Sequence, residues 1–324
     1  MKVGVVGAGA WGTTLARVTS LRGVDTHLWV RGKERAQRIQ TDRENEKYLP
    51  GVVLPRALEV TNDLATCLED AEIVIHAVPS HATRELAARY ADLLADDATI
   101  VSATKGLAYE THQTMAAVIE EETGHDTVAL SGPNHAEEVS RDQPTGTIVA
   151  HPDEALARKV VTAISTPTFK AYAHTDRTGV ELCGAYKNVI AIGTGMSKGL
   201  GYGDNTTSAL ITLGLNEMAR LLPELGGERR TAYGLAGVGD LIATAGSDHS
   251  RNRTFGRRVG EGTTVDEAIE SLGGKVVEGV PAAQAFHRAA EDEGLDLALT
   301  QAVYQVTEED EDVDEAIRVL LARV

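Results

Sequence analysis

The residues best suited to chemistry in this chain are two lysines in unusual settings. Lys187 lies in a helix-period segment flanked by Val180, Leu182, Val189, Ile190 and Ile192, so its ammonium must shed water or be carried outward along its own stem. Desolvation lowers a lysine pKa and suits the amine to general acid/base work near neutral pH. A lysine on the exposed stripe of the helix is the ordinary alternative; Asn188 directly after it adds a second polar group to the apolar run. Lys105, in Ala103-Thr-Lys-Gly-Leu107, follows a strand-like run and so falls at the carboxyl edge of a sheet, where ligands bind in open α/β folds. Ser131-Gly132-Pro133-Asn134-His135-Ala136 is a polar turn at the same kind of edge. Asp240 and Thr244, in Gly237-Val-Gly-Asp-Leu-Ile-Ala-Thr, are one helical turn apart and share a face.

A different chemistry is written between Ser247 and Arg258. Four arginines, Arg251, Arg253, Arg257 and Arg258, fall within eight residues on a chain whose net charge is −17. Arginine forks beside the hydroxyl of Ser250 and the amide of Asn252, at a helix start, make a phosphate or carboxylate site. Surface ion pairing to an acidic body is the plainer alternative.

At the amino end, Val3-Gly-Val-Val-Gly7-Ala-Gly9-Ala10-Trp11-Gly12 reads as a strand, a Gly-x-Gly-x-x-Gly turn and a helix start. Gly7 permits the turn, Gly9 lets backbone approach a pyrophosphate, and Gly12 allows the helix to pack on the strand. The glycine pattern alone is weak, and its place at the opening of a βαβ series makes it a dinucleotide site. The second strand ends Leu28-Trp-Val-Arg31-Gly-Lys33, without the carboxylate that holds an NAD ribose. Arg31, Lys33 and Arg35 offer positive charge for a 2′-phosphate, so NADP(H) is the expected cofactor, with NAD(H) also used.

These groups need a scaffold, and its pattern is plain. Strand-like runs at Lys2–Val6, Thr26–Val30, Ile73–Val78, Thr99–Ala103, Thr127–Leu130, Gly146–Ala150 and Phe169–Ala173 alternate with helical stretches at Trp11–Arg22, Arg84–Leu94, Thr111–Glu121 and Glu154–Ile164. Continuous apolar runs suit parallel strands buried on both faces, and the alternation predicts an α/β, Rossmann-type doubly wound sheet over residues 1–177. Beyond it the strand signal vanishes. Helix-period segments at Gly179–Met196, Asn205–Leu222, Arg251–Gly260, Val265–Leu272, Pro281–Glu293, Leu297–Gln305 and Val313–Leu321 predict an all-helical domain over 178–324. The acids from Glu308 to Glu315 fit a solvated loop and a helix start.

Composition narrows the class. The 324 residues are 42% hydrophobic and 24% charged, as in a soluble globular protein. No stretch approaches the ~18 apolar residues of a membrane span. Met1-Lys2 runs straight into a strand rather than a signal sequence, and a cytoplasmic location is expected. The acidic balance argues against a nucleic-acid partner. Nine lysines against 22 arginines make an acidic, lysine-poor surface of the kind that suits high salt. Cys67 and Cys183 have no metal-ligand spacing, so reduced thiols and no metal are expected.

Taken together, the motifs resemble the NAD(P)-dependent sn-glycerol-3-phosphate dehydrogenases of the bacterial type. The similarity runs in order through G-A-G-A-W-G-T, E-N-E-K-Y-L-P-G (44–51), V-P-S (78–80), A-T-K-G-L, S-G-P-N-H-A-E-E-V, G-V-E-L-C-G-A-Y-K-N-V-I-A-I-G (179–193), G-L-G-Y-G-D-N (199–205), G-L-A-G-V-G-D-L (234–241), S-R-N-R-T-F-G (250–256) and V-E-G-V (277–280). The resemblance implies reversible reduction of dihydroxyacetone phosphate by a homodimer. It implies Lys187 as proton donor to the carbonyl oxygen, Lys105 touching both substrate and nicotinamide, and Asp240 and Thr244 ordering the reacting region. Ser250, Arg251 and Asn252 would take the substrate phosphate, with Gly132, Asn134 and Asn188 lining its site. Ala10, Trp11, Arg31, Ala136, Arg251 and Glu278 would join the glycines at the cofactor. The sequence departs from the family at Asn134-His135, where many relatives carry a small hydroxyl residue and then an aromatic, and at Pro281.

Two other readings compete. A ketopantoate or hydroxy-acid dehydrogenase of similar architecture also uses a lysine followed by asparagine, but does not predict the S-R-N-R-T-F-G cluster. A non-catalytic NAD(P)H sensor has no need of Lys187 and Asp240, which are both present.

Overall fold

The structure is a computed structural model that describes residues 1–108, 111–247, 250–273 and 277–323. It contains two compact units: Met1–Ala108 with Gln113–Arg177, and Thr178–Val324 with Tyr109–His112.

The first unit opens with β1 (Lys2–Val6), α1 (Ala10–Leu21), β2 (Asp25–Trp29) and α2 (Lys33–Asp42). A two-stranded hairpin of β3 (Glu44–Asn45) and β4 (Leu49–Val53) follows, then β5 (Glu59–Thr61) and α3 (Leu64–Leu68). The chain continues through β6 (Ile73–His76), α4 (Thr83–Tyr90), β7 (Thr99–Ser102), α5 (Met115–Thr123), β8 (Thr127–Ser131) and α6 (Ala136–Val139). It ends with β9 (Thr145–Ala150), α7 (Glu154–Ile164) and β10 (Phe169–His174). Eight strands form one sheet in the order β10-β9-β8-β7-β6-β1-β2-β5.

Both faces of the sheet are covered, as its continuous apolar strands require. Val3, Val5, Leu28, Ile73, Ile75 and Val101 pack toward α1 and α7, while Val6, Trp29, Val74 and Ile100 pack with Leu68, Ala87, Tyr90 and Ile119 on the opposite side. His76 is buried on that second side with Nδ1 3.0 Å from the Tyr90 hydroxyl, and burial pulls its pKa down to about 3. The sheet is Rossmann-like, with one departure from the all-parallel expectation. β8 and β9 pair antiparallel, Ala129 opposite Ala150, so β9 and β10 run against the other strands.

Several elements were not expected from the sequence. In α2 only Ala36 and Ile39 are buried, too few to print a helical period. β4 carries Pro50 and Gly51, which ordinarily signal a turn. The helix expected at Thr111 starts instead at Met115, because Thr114 takes the extended N-cap conformation and pairs back to Leu107.

In the second unit the described residues form no strand. Helices α8 (Arg177–Gly199), α9 (Asp204–Glu224), α10 (Asp240–Ala245), α11 (Arg251–Gly260), α12 (Val265–Ser271), α13 (Gly279–Asp292), α14 (Ala298–Glu308) and α15 (Val313–Leu321) make up the bundle. α8 is its axis, buried from Gly179 to Ser197. Two small-residue contacts bring α11 onto α8 backbone to backbone: a Cβ on Gly195 would lie 2.3 Å from the Arg253 carbonyl oxygen, and one on Gly256 2.1 Å from that of Ile192. Tyr186 of α8 donates to Glu217 of α9 at 2.7 Å, and the same carboxylate caps α14 through the Leu299 and Thr300 amides at 2.7 and 3.2 Å. Pro281 falls in the first turn of α13, where its missing N–H has no helical partner to lose. The acidic run closes the chain as expected, Asp312 capping α15 by accepting from the Glu315 amide at 3.0 Å. No helix of the described residues is long and apolar enough to cross a membrane.

Candidate active site

In the first unit the glycine turn has the form a dinucleotide needs. Gly7 adopts φ +113°, and a Cβ on Gly12 would sit 1.9 Å from the Gly7 carbonyl oxygen, so helix and turn meet through bare backbone. A Cβ on Gly9 would meet nothing within 4 Å, which leaves space in front of the turn. Gly9 caps α1 without any side-chain hydrogen bond, and the first turn holds no acid. Unfilled amides at the positive end of a twelve-residue helix fit a pyrophosphate. Ala10 and Trp11 pack with Ala136, Leu49 and Val52 in one apolar cluster, which gathers three of the expected cofactor residues.

Arg31 and Lys33 are exposed just past β2. Arg35 is differently placed, half-buried against the glycine turn. Its guanidinium donates to the Ala8 carbonyl oxygen and to Asn45 Oδ1, and lies 4.5 Å over the Tyr48 ring.

At the carboxyl edge of β7 and β8, Lys105 Nζ donates to the Gly132 carbonyl oxygen at 3.0 Å, joining two of the expected residues. Gly132 holds φ +151°. Asn134 is turned to β9: its Nδ2 donates to the Gly146 carbonyl oxygen at 3.2 Å, and its Oδ1 accepts from Thr147 at 2.8 Å. The side chain therefore shapes the turn.

In the second unit three expected residues converge. Lys187 Nζ lies 2.7 Å from Asp240 Oδ1 and 2.7 Å from Thr244 Oγ1. The side chains of Lys187 and Asp240 are only 9% and 2% exposed. An ion pair this dry gains little net stability, because desolvation offsets the Coulomb attraction. Asp240 reaches the lysine because Leu235–Gly239 is wound as a single π turn, Gly239 N–H bonding to Gly234 at 3.1 Å, immediately before α10. The result is an ammonium fixed between a carboxylate and a hydroxyl, able to release a proton to an oxygen brought beside it.

Asn188 Oδ1 accepts from Asn252 Nδ2 at 2.9 Å, and Asn252 Oδ1 accepts from the Gly279 amide at 3.0 Å. This chain ties α8 to α11 and to the start of α13, whose N-cap is the half-buried Glu278. Ser250 caps α11, accepting from the Arg253 amide at 3.2 Å, and Arg251 is exposed beside it. Asp248 and His249, within the arginine-rich stretch, lie outside the described residues.

The motif E-N-E-K-Y-L-P-G (44–51) was visible in the sequence without a role, and the structure groups its Asn45 and Tyr48 with Arg35. One further cluster brings ligand atoms of Glu120, Asp126 and His151 within 4.8 Å of one another, but Arg177 already occupies both oxygens of Glu120.

Comparison with known proteins places this geometry in a family. Residues 2–157 match the description "NAD-dependent glycerol-3-phosphate dehydrogenase N-terminus", and residues 176–318 match the corresponding C-terminus. A glycerol-3-phosphate dehydrogenase [NAD(P)+] of Thermus thermophilus is 49% identical over 326 residues, covering 100% of this chain and 98% of its own. One from Corynebacterium glutamicum is 45% identical over the same spans. The crystal structure of glycerol-3-phosphate dehydrogenase from Coxiella burnetii superposes with a TM-score of 0.92 at 36% identity, covering 99% of this chain and 98% of that one. The chain belongs to the NAD-dependent glycerol-3-phosphate dehydrogenase family and is an NAD(P)-dependent oxidoreductase.

Proposed function

We propose that the protein reduces dihydroxyacetone phosphate reversibly to sn-glycerol 3-phosphate, with Lys187 as the general acid/base. The observation that carries this reading is the buried Lys187 ammonium held at 2.7 Å by both Asp240 and Thr244. NAD(P)H, when bound, supplies the hydride that C2 of the ketone accepts. Lys187 gives its proton to the oxygen at C2 as negative charge develops there, and takes one back in the oxidative direction. Asp240 and Thr244 keep the ammonium pointed and charged until transfer. Arg251, with Ser250 and Asn252 at the start of α11, binds the dianionic phosphate. Asn188 steadies Asn252 and faces the same ligand. Lys105, set against Gly132, touches the substrate and the nicotinamide end of the cofactor, and Asn134 completes the turn.

Gly7, Gly9 and Gly12 hold the pyrophosphate, with Ala10, Trp11 and Ala136 beside it and Arg251 and Glu278 as further cofactor contacts. Arg31, aided by Lys33, favours NADPH over NADH. Residues 1–177 form the cofactor domain and 178–324 the substrate domain. The same proposal includes a homodimer, readable by light scattering, working in the cytoplasm where pyridine nucleotides are held.

The test is the initial rate of NADPH and NADH oxidation with dihydroxyacetone phosphate, beside unphosphorylated dihydroxyacetone and ketopantoate. Turnover that requires the phosphate supports the reading. NADPH binding with turnover on ketopantoate alone would replace it.

A further inference from the structure

The stretch from Glu44 to Gly51 has no part in the reaction as described, yet it contains a deeply buried polar side chain. Asn45 is 1% exposed. Its Nδ2 donates to the Ala8 carbonyl oxygen at 3.1 Å and to Thr13 Oγ1 at 2.7 Å, and its Oδ1 accepts from Arg35 Nη2 at 3.2 Å. Arg35 also donates to the Ala8 carbonyl oxygen and is itself pinned over Tyr48. One carbonyl inside the glycine turn thus receives two side-chain donors from outside it.

In a trans peptide the C=O and the following N–H point in opposite directions. Fixing the Ala8 carbonyl toward Asn45 and Arg35 therefore turns the Gly9 N–H the other way. The third Asn45 contact, on Thr13, ties the same amide to the second turn of α1, whose Thr13 N–H closes on the Gly9 carbonyl at 3.0 Å. Glycine at positions 7 and 9 gives this turn more backbone conformations than other residues would, and the Asn45 and Arg35 contacts favour one. We propose that Asn45, assisted by Arg35, is a positioning residue for the cofactor: it locks the Ala8–Gly9 peptide so that the Gly9 amide and the first turn of α1 meet the pyrophosphate ready-made. The proposal rests on the reading that Gly7–Gly12 hold the dinucleotide. It gives the hairpin of β3 and β4 a function, since Leu49 and Val52 seat that hairpin on Ala10 and Trp11 while Asn45 makes the polar connection.

The experiment measures NADPH dissociation constants by quenching of Trp11 and Trp29 fluorescence, with kcat, KM for dihydroxyacetone phosphate and urea midpoints alongside. Asn45→Ala is expected to weaken NADPH by about tenfold to a hundredfold, the loss of one or two hydrogen bonds' worth of preorganisation. At saturating NADPH its kcat and its KM for the ketone stay within about threefold, a split that general loosening of the fold would not give. Should Asn45→Ala fail to fold, Thr13→Val, which keeps the shape and removes one acceptor, is expected to weaken NADPH several-fold. A folded Asn45→Ala or Thr13→Val that binds NADPH as the parent does would overturn the proposal. Gly9→Val separates it from the reading beneath it: its backbone is ordinary and its side chain enters open space, so it should fold and lose NADPH. Were Gly9→Val to keep parental affinity, the dinucleotide would not lie on this turn, and the proposal would fall with that reading.

Discussion

A lysine ammonium desolvated beside an aspartate needs partners for its N–H groups, and Asp240 and Thr244, each at 2.7 Å, take two of the three on Lys187. Arg251 is the opposite kind of residue: exposed at the start of α11, one position past a serine that already caps the helix. Its removal should leave the fold intact and act on the phosphate. Arg251→Ala is expected to raise KM for dihydroxyacetone phosphate by about tenfold to a hundredfold, the usual worth of a charged hydrogen bond, with a smaller effect on kcat. Steady-state kinetics would show it, and an unchanged KM would move the phosphate site elsewhere. At this scale the sequence was informative wherever residue type clashed with surroundings. A lysine in an apolar helix and arginines on an acidic chain are visible without coordinates. That Lys187 meets Asp240, 53 positions away, is a tertiary fact that no local spacing encodes. Asn45 stood in a recognised motif but without a role, because its burial against the glycine turn is a tertiary fact.

Among the elements, α8 and α11 carry the most constraint. Their approach at Gly195 and Gly256 fixes where Asn252 stands relative to Asn188, and so where the arginine-bearing helix begins. Gly256→Ala places a methyl 2.1 Å from the Ile192 carbonyl oxygen, which is backbone and cannot swing aside. The helices must separate, at a cost of about 2–4 kcal/mol. Urea denaturation should show the midpoint falling with little change in slope, and a parental midpoint would mean that the seam is looser than drawn. The long periodic elements were legible from their pattern: β1, α7, α11 and α15 lie where the apolar period put them. α2 and β4 were not, since one buries two residues and the other carries proline and glycine. The reversal of β9 was hidden for another reason. A strand's residues do not record its direction, and continuous apolar runs serve either sense once both faces are covered.

For the molecule as a whole, a net charge of −17 on 324 residues means repulsion that folding must overcome. Raising salt from 0.1 M to 1 M shortens the Debye length from about 10 Å to about 3 Å and should relieve it. Tm is therefore expected to rise by several degrees over that range, as differential scanning calorimetry would record. A fall would mean that favourable surface ion pairs, such as Arg158 with Glu154, outweigh the repulsion.

Chemistry at Lys187 is the centre of the account, and single-turnover oxidation of bound NADPH by dihydroxyacetone phosphate in Lys187→Ala tests it most directly. The hydride-transfer rate is expected to fall by about a thousandfold with NADPH affinity near that of the parent, while the urea midpoint drops because Asp240 loses its buried counter-ion. A folded Lys187→Ala that transfers hydride at close to the parental rate would remove this lysine from the mechanism.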